Sequence, residues 1–485
     1  MADAGRAEPG TVYFERVKDS IIKINNWDIK SSTNPNAPTT GGAALIQKSH
    51  LYHIEGQLDL TKQVKYFNLL VGGDARVYEL IPDGNNFVDF KRPVADRNTF
   101  LPDGSFGANI YYEKFGGFAQ ATKTLFNEHL KLWGSLRADY NPAFTAKLTP
   151  RLAAVYTVKE KHNFRFTFQK GYRFPALFEA LSYVNNGRVK RVGILPIINE
   201  GLGYRDNSYT QTSVAAFNAA VKLAGNTDSA ALANRALLKA GSLPNGRPEG
   251  INSFEVGYKS VLFDNKLFVD FDAYINIYDG FLGQVQVFVP IKETIGSDAA
   301  VLAMIDRNRD AQPAKDATAT SPATAASSGQ DRYRVYTNAK NKYTTYGSSL
   351  GLTYNFYKTF TISGNVNYNK IKAVKSPDLF ITGFNTPDWT SNVSLGNRAI
   401  TRNVGFNIVW KWQNSFLWES PLVTGNIAAL NNLDAQVTYR MPAIKATIKL
   451  GGTNVLNNTH LEYAGGPTIG ALYYVAITLD GLLNK

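Results

Sequence analysis

The sequence predicts an all-β protein: a transmembrane antiparallel β-barrel of about 14–16 strands, with long loops at one end, some of them helical. Three observations predict it. Apolar and polar residues alternate with period two along most of the chain, as in Leu267, Val269, Phe271, Ala273, Ile275 and Ile277 against Phe268, Asp270, Asp272, Tyr274, Asn276 and Tyr278. Lipid accepts the first set and water the second. Tight turns and long loops alternate between these segments, the asymmetry of outer-membrane barrels. Finally, mean hydropathy is −0.22 and no run of ~20 apolar residues occurs, which excludes a helical membrane protein but not a barrel.

Taken in order, Val12 to Trp27 reads as extended and polar, and 28–42 as a Ser/Asn/Pro/Thr/Gly loop. Ala43 to Leu60 and Gln63 to Leu80 form a hairpin turning near Thr61-Lys62. Residues 81–106 carry the turn signals Pro82-Asp83-Gly84 and Pro102-Asp103-Gly104. Gly116 to Leu125 turns at Asn127-Glu128 into a strand with Leu130, Leu132, Leu136 and Tyr140 on one face, and Lys131, Trp133, Arg137 and Asp139 on the other. Phe144 to Val158 turns at Glu160-Lys161-His162 into Phe164, Phe166 and Phe168, which alternate with Arg165, Thr167 and Gln169.

Residues 171–250 are the longest interruption. Within them Thr210 to Leu223 and Ser229 to Ala240 read as short helices, with Val214, Phe217 and Val221 on one face, so the loop is an ordered cap. The alternation resumes from Phe254 to Leu262 and turns through Phe263-Asp264-Asn265-Lys266. Loop 284–333 follows, and its low-complexity stretch from Ala311 to Gly329 is expected to be mobile. Leu350 to Phe356 turns through Tyr357-Lys358-Thr359 into Phe360 to Tyr368; Val404 to Trp412 follows. A turn near Met441-Pro442 leads to Ile444–Leu450, and Ala471 to Leu483 is the final strand.

The chain has no cysteine, which excludes disulfides and Cys-ligated metals. Its net charge of +13 is spread without a dense run, so a solvated surface is favoured over a nucleic-acid partner. His50, His53, His129, His162 and His460 show no zinc spacing, and three residues on a strand put His50 and His53 on opposite faces. Asp270 and Asp272 share a water-facing side, where lumen lining is favoured over a cation or sugar site. Trp410, Trp412 and Trp418 suit an interfacial girdle better than a sugar-stacking platform. Arg188, Lys190 and Arg191, near Tyr183 and Tyr204 in the long loop, are the candidate solute-binding residues. They could capture an anionic solute or acidic polysaccharide; a solvated loop, or one on lipopolysaccharide phosphates, is the favoured ordinary reading. No nucleophile elbow, phosphate loop, dinucleotide fingerprint or ordered triad appears, so no catalytic residue, metal or cofactor is assigned.

Several stretches carry a family likeness. Gly116-Gly117-Phe118-Ala119-Gln120, Leu136-Arg137-Ala138-Asp139-Tyr140, Pro150-Arg151-Leu152 and Gly171-Tyr172-Arg173-Phe174-Pro175-Ala176-Leu177-Phe178-Glu179 come first. Pro248-Glu249, Phe254-Glu255-Val256-Gly257-Tyr258-Lys259, Asn454-Val455-Leu456-Asn457 and Gly466-Pro467 follow, then the aromatic last strand. In this order they resemble TonB-dependent outer-membrane receptors from about residue 107 onward. The chain ends Leu482-Leu483-Asn484-Lys485 where the family usually has a terminal aromatic, and its N-terminus shows no signal-peptide core.

The resemblance implies a bacterial outer-membrane receptor without enzymatic activity. It implies uptake of a scarce solute, such as a metal chelate, vitamin, glycan or peptide, through outer loops 171–250 and 284–333. Lipid and lipopolysaccharide would surround it, and TonB would act through a plug domain. No plug is identifiable within 1–485, and a plugged receptor barrel has 22 strands, so the resemblance implies the C-terminal two-thirds of a barrel. The missing strands and plug would lie upstream or on another chain. The rival reading is a self-sufficient passive channel of about 14 strands. A soluble β-rich surface-binding protein is a third, disfavoured because it would leave the phenylalanine and isoleucine faces in water.

Overall fold

The computed structural model describes residues 8–23, 48–84, 86–97, 99, 101–185, 189–306, 329–372, 374, 383–420 and 423–479. Helix α1 (Val12–Lys23) comes first. It differs from the extended segment expected there. Thr11 caps it, its Oγ1 accepting the Phe14 N–H at 3.1 Å, and Glu15 in the first turn pairs with Lys18. β-Branched residues such as Ile21 and Ile22 favour an extended chain, and the cap at Thr11 outweighs them.

Strands β1 (Lys48–Asp59), β2 (Asn68–Ile81), β3 (Ile110–Leu125), β4 (Leu130–Asn141), β5 (Phe144–Val158) and β6 (His162–Arg173) follow. The next connection holds α2 (Leu177–Leu181), β7 (Tyr183–Asn185), β8 (Lys190–Val192), α3 (Pro196–Asn199), β9 (Tyr209–Thr210), α4 (Gln211–Leu223) and α5 (Asp228–Ala233). Then come β10 (Glu249–Leu262), β11 (Leu267–Asp279), β12 (Leu282–Pro290), α6 (Asp298–Ala303), β13 (Gln330–Asn338), β14 (Tyr343–Tyr357) and β15 (Phe360–Ile371). The chain continues through β16 (Trp389–Asn397), β17 (Val404–Gln413), β18 (Phe416–Glu419), β19 (Thr424–Ile427), β20 (Leu430–Met441), β21 (Ala446–Thr453) and β22 (Leu472–Leu479). The rest of the predicted last strand, from 480 on, lies outside the described residues, as does most of the low-complexity segment.

Fifteen strands make one antiparallel sheet in the order β1-β2-β3-β4-β5-β6-β10-β11-β14-β15-β16-β17-β20-β21-β22. Register separates its two faces. Val269, Leu352, Gly364, Val393, Trp410 and Leu433 stand side by side across six strands. One residue further, the same register reads Asp270, Gly351, Asn365, Asn392, Lys411 and Asn432. The apolar row is the outer face, where Leu352, Val393 and Trp410 are exposed; the polar row lines the lumen. Most strands exceed the ~9–11 residues a tilted strand needs to cross a bilayer. Among the described residues no helix is long and apolar enough to cross a membrane.

Among the described residues β1 and β22 each have one neighbour only, and every residue of both is exposed. Both run from the long-loop end to the short-turn end, because an odd number of antiparallel strands separates like directions. An open edge leaves a row of unpaired backbone groups, which lipid does not tolerate.

At the long-loop end a second, five-stranded sheet, β7-β8-β13-β12-β9, forms a cap. None of its strands is legible in the sequence, where 171–250 and 284–333 read as loops. Three of them have only two or three residues, too short for periodicity to register. Helix α4 falls where the apolar spacing of Val214, Phe217 and Val221 placed it, whereas the second helix, expected over Ser229 to Ala240, is only Asp228–Ala233 followed by a single 3-10 turn at Arg235–Leu237. Phe217 and Val221 of α4, Val301 of α6 and Phe288 of β12 are buried together. A second cluster joins cap to wall: Val192, Ile198, Val287 and Val335 pack with Val88, with Leu80 of β2 and with Tyr112 of β3.

Candidate functional site

The lumen wall beneath the cap carries a charge arrangement that folding alone does not favour. Arg76 of β2 stands directly opposite Lys114 of β3, two cations facing each other across the ladder. One step nearer the mouth Tyr78 faces Tyr112. The Lys114 ammonium lies 5.7 Å from the Tyr78 ring centre and 5.2 Å from that of Tyr112. Tyr112 is buried, and its hydroxyl donates to the Pro175 carbonyl at 2.9 Å, fixing the ring.

Neither cation is well neutralised. Among the described residues Lys114 has no ion pair. Arg76 approaches Asp74 only to 3.6 Å, and its Nε has no hydrogen-bond partner. Asp74 is drawn the other way, because Arg137 reaches across β3 to donate from Nη2 to Asp74 Oδ1 at 2.5 Å. Arg137 Nε meanwhile donates to both oxygens of Asp139 at 2.9 Å. Gly116 makes this crossing possible: a Cβ there would lie 2.1 Å from Arg137 Nη2. Arg173 at the same mouth is held by Glu179 at 2.6 Å and Glu249 at 3.3 Å. The result is a half-buried positive spot flanked by tyrosine rings, suited to an anionic group on an apolar or aromatic body.

Elsewhere on the lumen wall several bases are paired, whereas Arg151, Arg440 and Lys449 on the same side have no ion pair among the described residues. Lys259 pairs with Asp270 at 2.8 Å, Lys411 with Asp434 at 2.6 Å, and Arg165 with Glu255. Asp270 is therefore a paired lining residue, with Asp272 on the same side of β11.

The candidate loop residues are dispersed within the cap. Arg188 lies outside the described residues. Lys190 and Tyr204 converge on one ring: the Lys190 ammonium is 5.4 Å from the Tyr333 centroid, and the Tyr204 ring lies against it, tilted by 34°, at 5.3 Å. Lys190 also pairs with Asp331 at 2.8 Å. Tyr204 is buried in the cap–wall cluster, and burial pushes its hydroxyl up from the ordinary tyrosine range. Arg191 projects from the other side of β8, its guanidinium 5.9 Å from the Phe178 ring. Tyr183 is buried near Arg97, which donates to the carbonyls of Ile198, Phe90 and Arg92 at 3.1–3.2 Å. Desolvation lowers the Arg97 pKa, and those carbonyls hold the guanidinium in place.

The tryptophans divide. Trp410 and Trp412 stand at the long-loop end of β17, beside Trp389, whose ring lies 4.6 Å from Tyr368. This is an interfacial belt. Trp418 belongs to the β18–β19 hairpin and packs against Tyr463 at 5.8 Å.

Comparison with known proteins decides the family. The model described as "TonB dependent receptor-like, beta-barrel" matches residues 19–455. The chain belongs to the TonB-dependent receptor family. It is a bacterial outer-membrane β-barrel protein. A mutant of the ferric enterobactin receptor PfeA of Pseudomonas aeruginosa superposes with a TM-score of 0.55 at 12% identity, over 88% of this chain and 53% of that one. The siderophore receptor PirA of Acinetobacter baumannii gives 0.56 at 11% identity, over 93% and 57%. The FrpB iron transporter of Neisseria meningitidis gives 0.52 at 12% identity, over 89% and 55%. These likenesses show the fold. The chain spans about half the length of these solved receptors. No curated protein sequence matches it.

The Arg76/Lys114 pair is not legible in the sequence alone. The signal was present, since both residues sit on water-facing sides of their strands, but seeing them opposite each other needs the register of a hairpin whose connection runs from 82 to 109.

Proposed function

We propose that this chain forms most of the wall and outer mouth of a TonB-dependent receptor that takes up a scarce anionic solute, with an anionic metal chelate as the favoured class. The observation that carries the reading is the Arg76–Lys114 pair beneath two tyrosines at the mouth. Like charges placed opposite each other destabilise a ladder, and an anionic guest reverses that cost. The solved neighbours named for enterobactin and siderophores support the class. Lys190 and Arg191 on the cap would lie on the solute's approach.

Transport also requires a closed wall, a plug and TonB. β1 and β22 run the same way, so an antiparallel closure needs an odd number of further strands. Completing a 22-stranded plugged barrel takes seven. Those strands and the plug would come from further polypeptide, in the same protein or a partner. The like direction of the edges counts against a passive channel closed by β1 on β22, which would require a parallel seam.

The test is binding of radiolabelled ferric enterobactin, and of a neutral iron chelate, to outer membranes containing the protein. Replacing Arg76 and Lys114 together by alanine should weaken anionic-chelate binding by about a hundredfold, the loss of two charge-assisted contacts, and leave the neutral probe unchanged. Equal binding by native and doubly substituted protein refutes the assignment.

A further inference from the structure

The short-turn end differs in charge from the rest of the molecule. Six of its seven turns carry an exposed base: Lys62, Lys161, Lys266, Lys358, Arg402 and Lys445. None makes an ion pair among the described residues. At the opposite end several exposed bases are held by acids, as in Lys190 with Asp331, Arg235 with Asp298, and Arg247 with Asp279. The acids in these turns, Glu128, Glu160 and Asp264, are too few to neutralise the ring.

Five of these six turns, and the seventh at Phe126, present apolar tips. Tyr66, Phe126, Phe263, Tyr357, Ile400 and Ile444 are 50% or more exposed. The Lys358 ammonium lies 5.1 Å from the Tyr357 ring. An apolar tip beside a base fits the membrane boundary, with the ring among acyl chains and the ammonium among phosphates. An aqueous protein partner would not call for exposed apolar tips spaced along the whole short-turn edge of the sheet. Backbone strain adds to the argument. Lys159, Lys358 and Lys445 hold φ at 49°, 46° and 49°, the left-handed region that glycine or asparagine occupies more easily. Turn geometry alone would not choose lysine there.

We propose that this rim binds the phosphate headgroups of anionic glycerophospholipid in the periplasmic leaflet. The ring fixes the depth and tilt of the wall by clamping lipid at each turn. The mouth site plays no part in it.

The test uses the full protein, with whatever subunits accompany it, reconstituted in phosphatidylcholine. Electron spin resonance of spin-labelled phosphatidylglycerol and phosphatidylcholine gives their relative association constants. The native protein should prefer phosphatidylglycerol at least threefold at roughly 20 mM salt and lose that preference near 0.5 M, where the screening length falls to about 4 Å. Changing the six bases to glutamine should bring the ratio to about one. A three-base variant, Lys62→Gln/Lys266→Gln/Lys445→Gln, should be intermediate, and serves if the sixfold variant fails to insert. Neutralising Arg235, Arg247 and Lys342 at the opposite end should change nothing. A ratio of one in the native protein, or a sixfold variant that keeps the preference, overturns the proposal. So does a ratio of one in the native protein with base-dependent capture by peptidoglycan or an acidic periplasmic protein.

Discussion

Replacing Arg137 by methionine probes how the lumen wall manages its charge. The guanidinium lies across β3 between Asp139 and Asp74, two carboxylates that flank Gly116 in one register row. Neighbouring strands are about 4.8 Å apart, so without the arginine those backbones stay roughly 10 Å apart with two uncompensated acids between them. Both acids are largely buried, with side-chain exposures of 12% and 11%, while the arginine is 33% exposed. Breaking a buried pair by removing one partner costs about 3–5 kcal/mol. Discounting for the partly wet guanidinium leaves about 3 kcal/mol. The assay is reversible denaturant unfolding in micelles, followed by tryptophan fluorescence, with Trp133 nearby on β4. In the control protein Arg137→Met/Asp74→Asn/Asp139→Asn the abandoned charges are gone, so at least half the loss should return. A single variant within 0.5 kcal/mol of native, or a triple variant no better than the single, refutes it.

The outer face predicts a depth-dependent penalty: Ile408→Lys, midway along β17, should cost about 2–4 kcal/mol, whereas Asn407→Lys, one residue away on the lumen side, should cost under about 1, both read from the folded fraction in lipid. In the cap, Phe217→Ala empties a fully buried site and should cost about 3–5 kcal/mol, appearing as faster amide exchange in α4 and β12 but not in β14 or β15. Gly193→Ala places a Cβ 2.4 Å from the Ala180 carbonyl oxygen, so it should loosen the contact between α2 and β8 by about 1–3 kcal/mol, read by proteolysis of the cap. Burial raises the hydroxyl pKa values of Tyr183, Tyr204 and Tyr333, so their contribution to cap stability is intact below about pH 10, where the unfolded hydroxyls begin to ionise, and is lost as pH rises toward the folded values. Each should add a slope of about 1.4 kcal/mol per pH unit there, and phenolate absorbance should rise only with cap opening.

The wall was legible because a barrel strand is long and its environment imposes period two on every residue. Phe164, Phe166 and Phe168 against Arg165, Thr167 and Gln169 need no tertiary knowledge to be sorted, and the structure places them in register with Tyr258, Val256 and Phe254. Turns were legible where polar residues cluster: Asn127 and Asn265 occupy the left-handed region as their chemistry allows. The cap strands were not legible. Val192 and Val335 align in parallel across residues far apart in sequence, and no local pattern announces that. Site residues failed for a related reason. Tyr204 looked like a loop aromatic, but β13 returns to bury it against Tyr333, a contact that depends on the second long loop. Helix α1 was missed because its β-branched residues were weighed above the cap at Thr11.

Cap, wall and mouth form one mechanical unit, and this bears on why an unfavourable cation pair is tolerated at Arg76 and Lys114. Leu80 and Tyr112 are wall residues, yet they are buried by cap residues such as Ile198 and Val287. Tyr112 is also the ring over which Lys114 lies, so the apolar cluster that seats the cap fixes one side of the positive spot. A guest anion at that spot would relieve repulsion between β2 and β3 and at the same time touch the strand pair on which the cap is anchored. Binding there would therefore stiffen the β2–β3 hairpin and the cap together. That predicts slower amide exchange in β8 and β13 on adding an anionic chelate, and no such change in the Arg76→Ala/Lys114→Ala protein. Protection confined to the cap, with β2 and β3 unaffected, would place the anion among the loop bases instead.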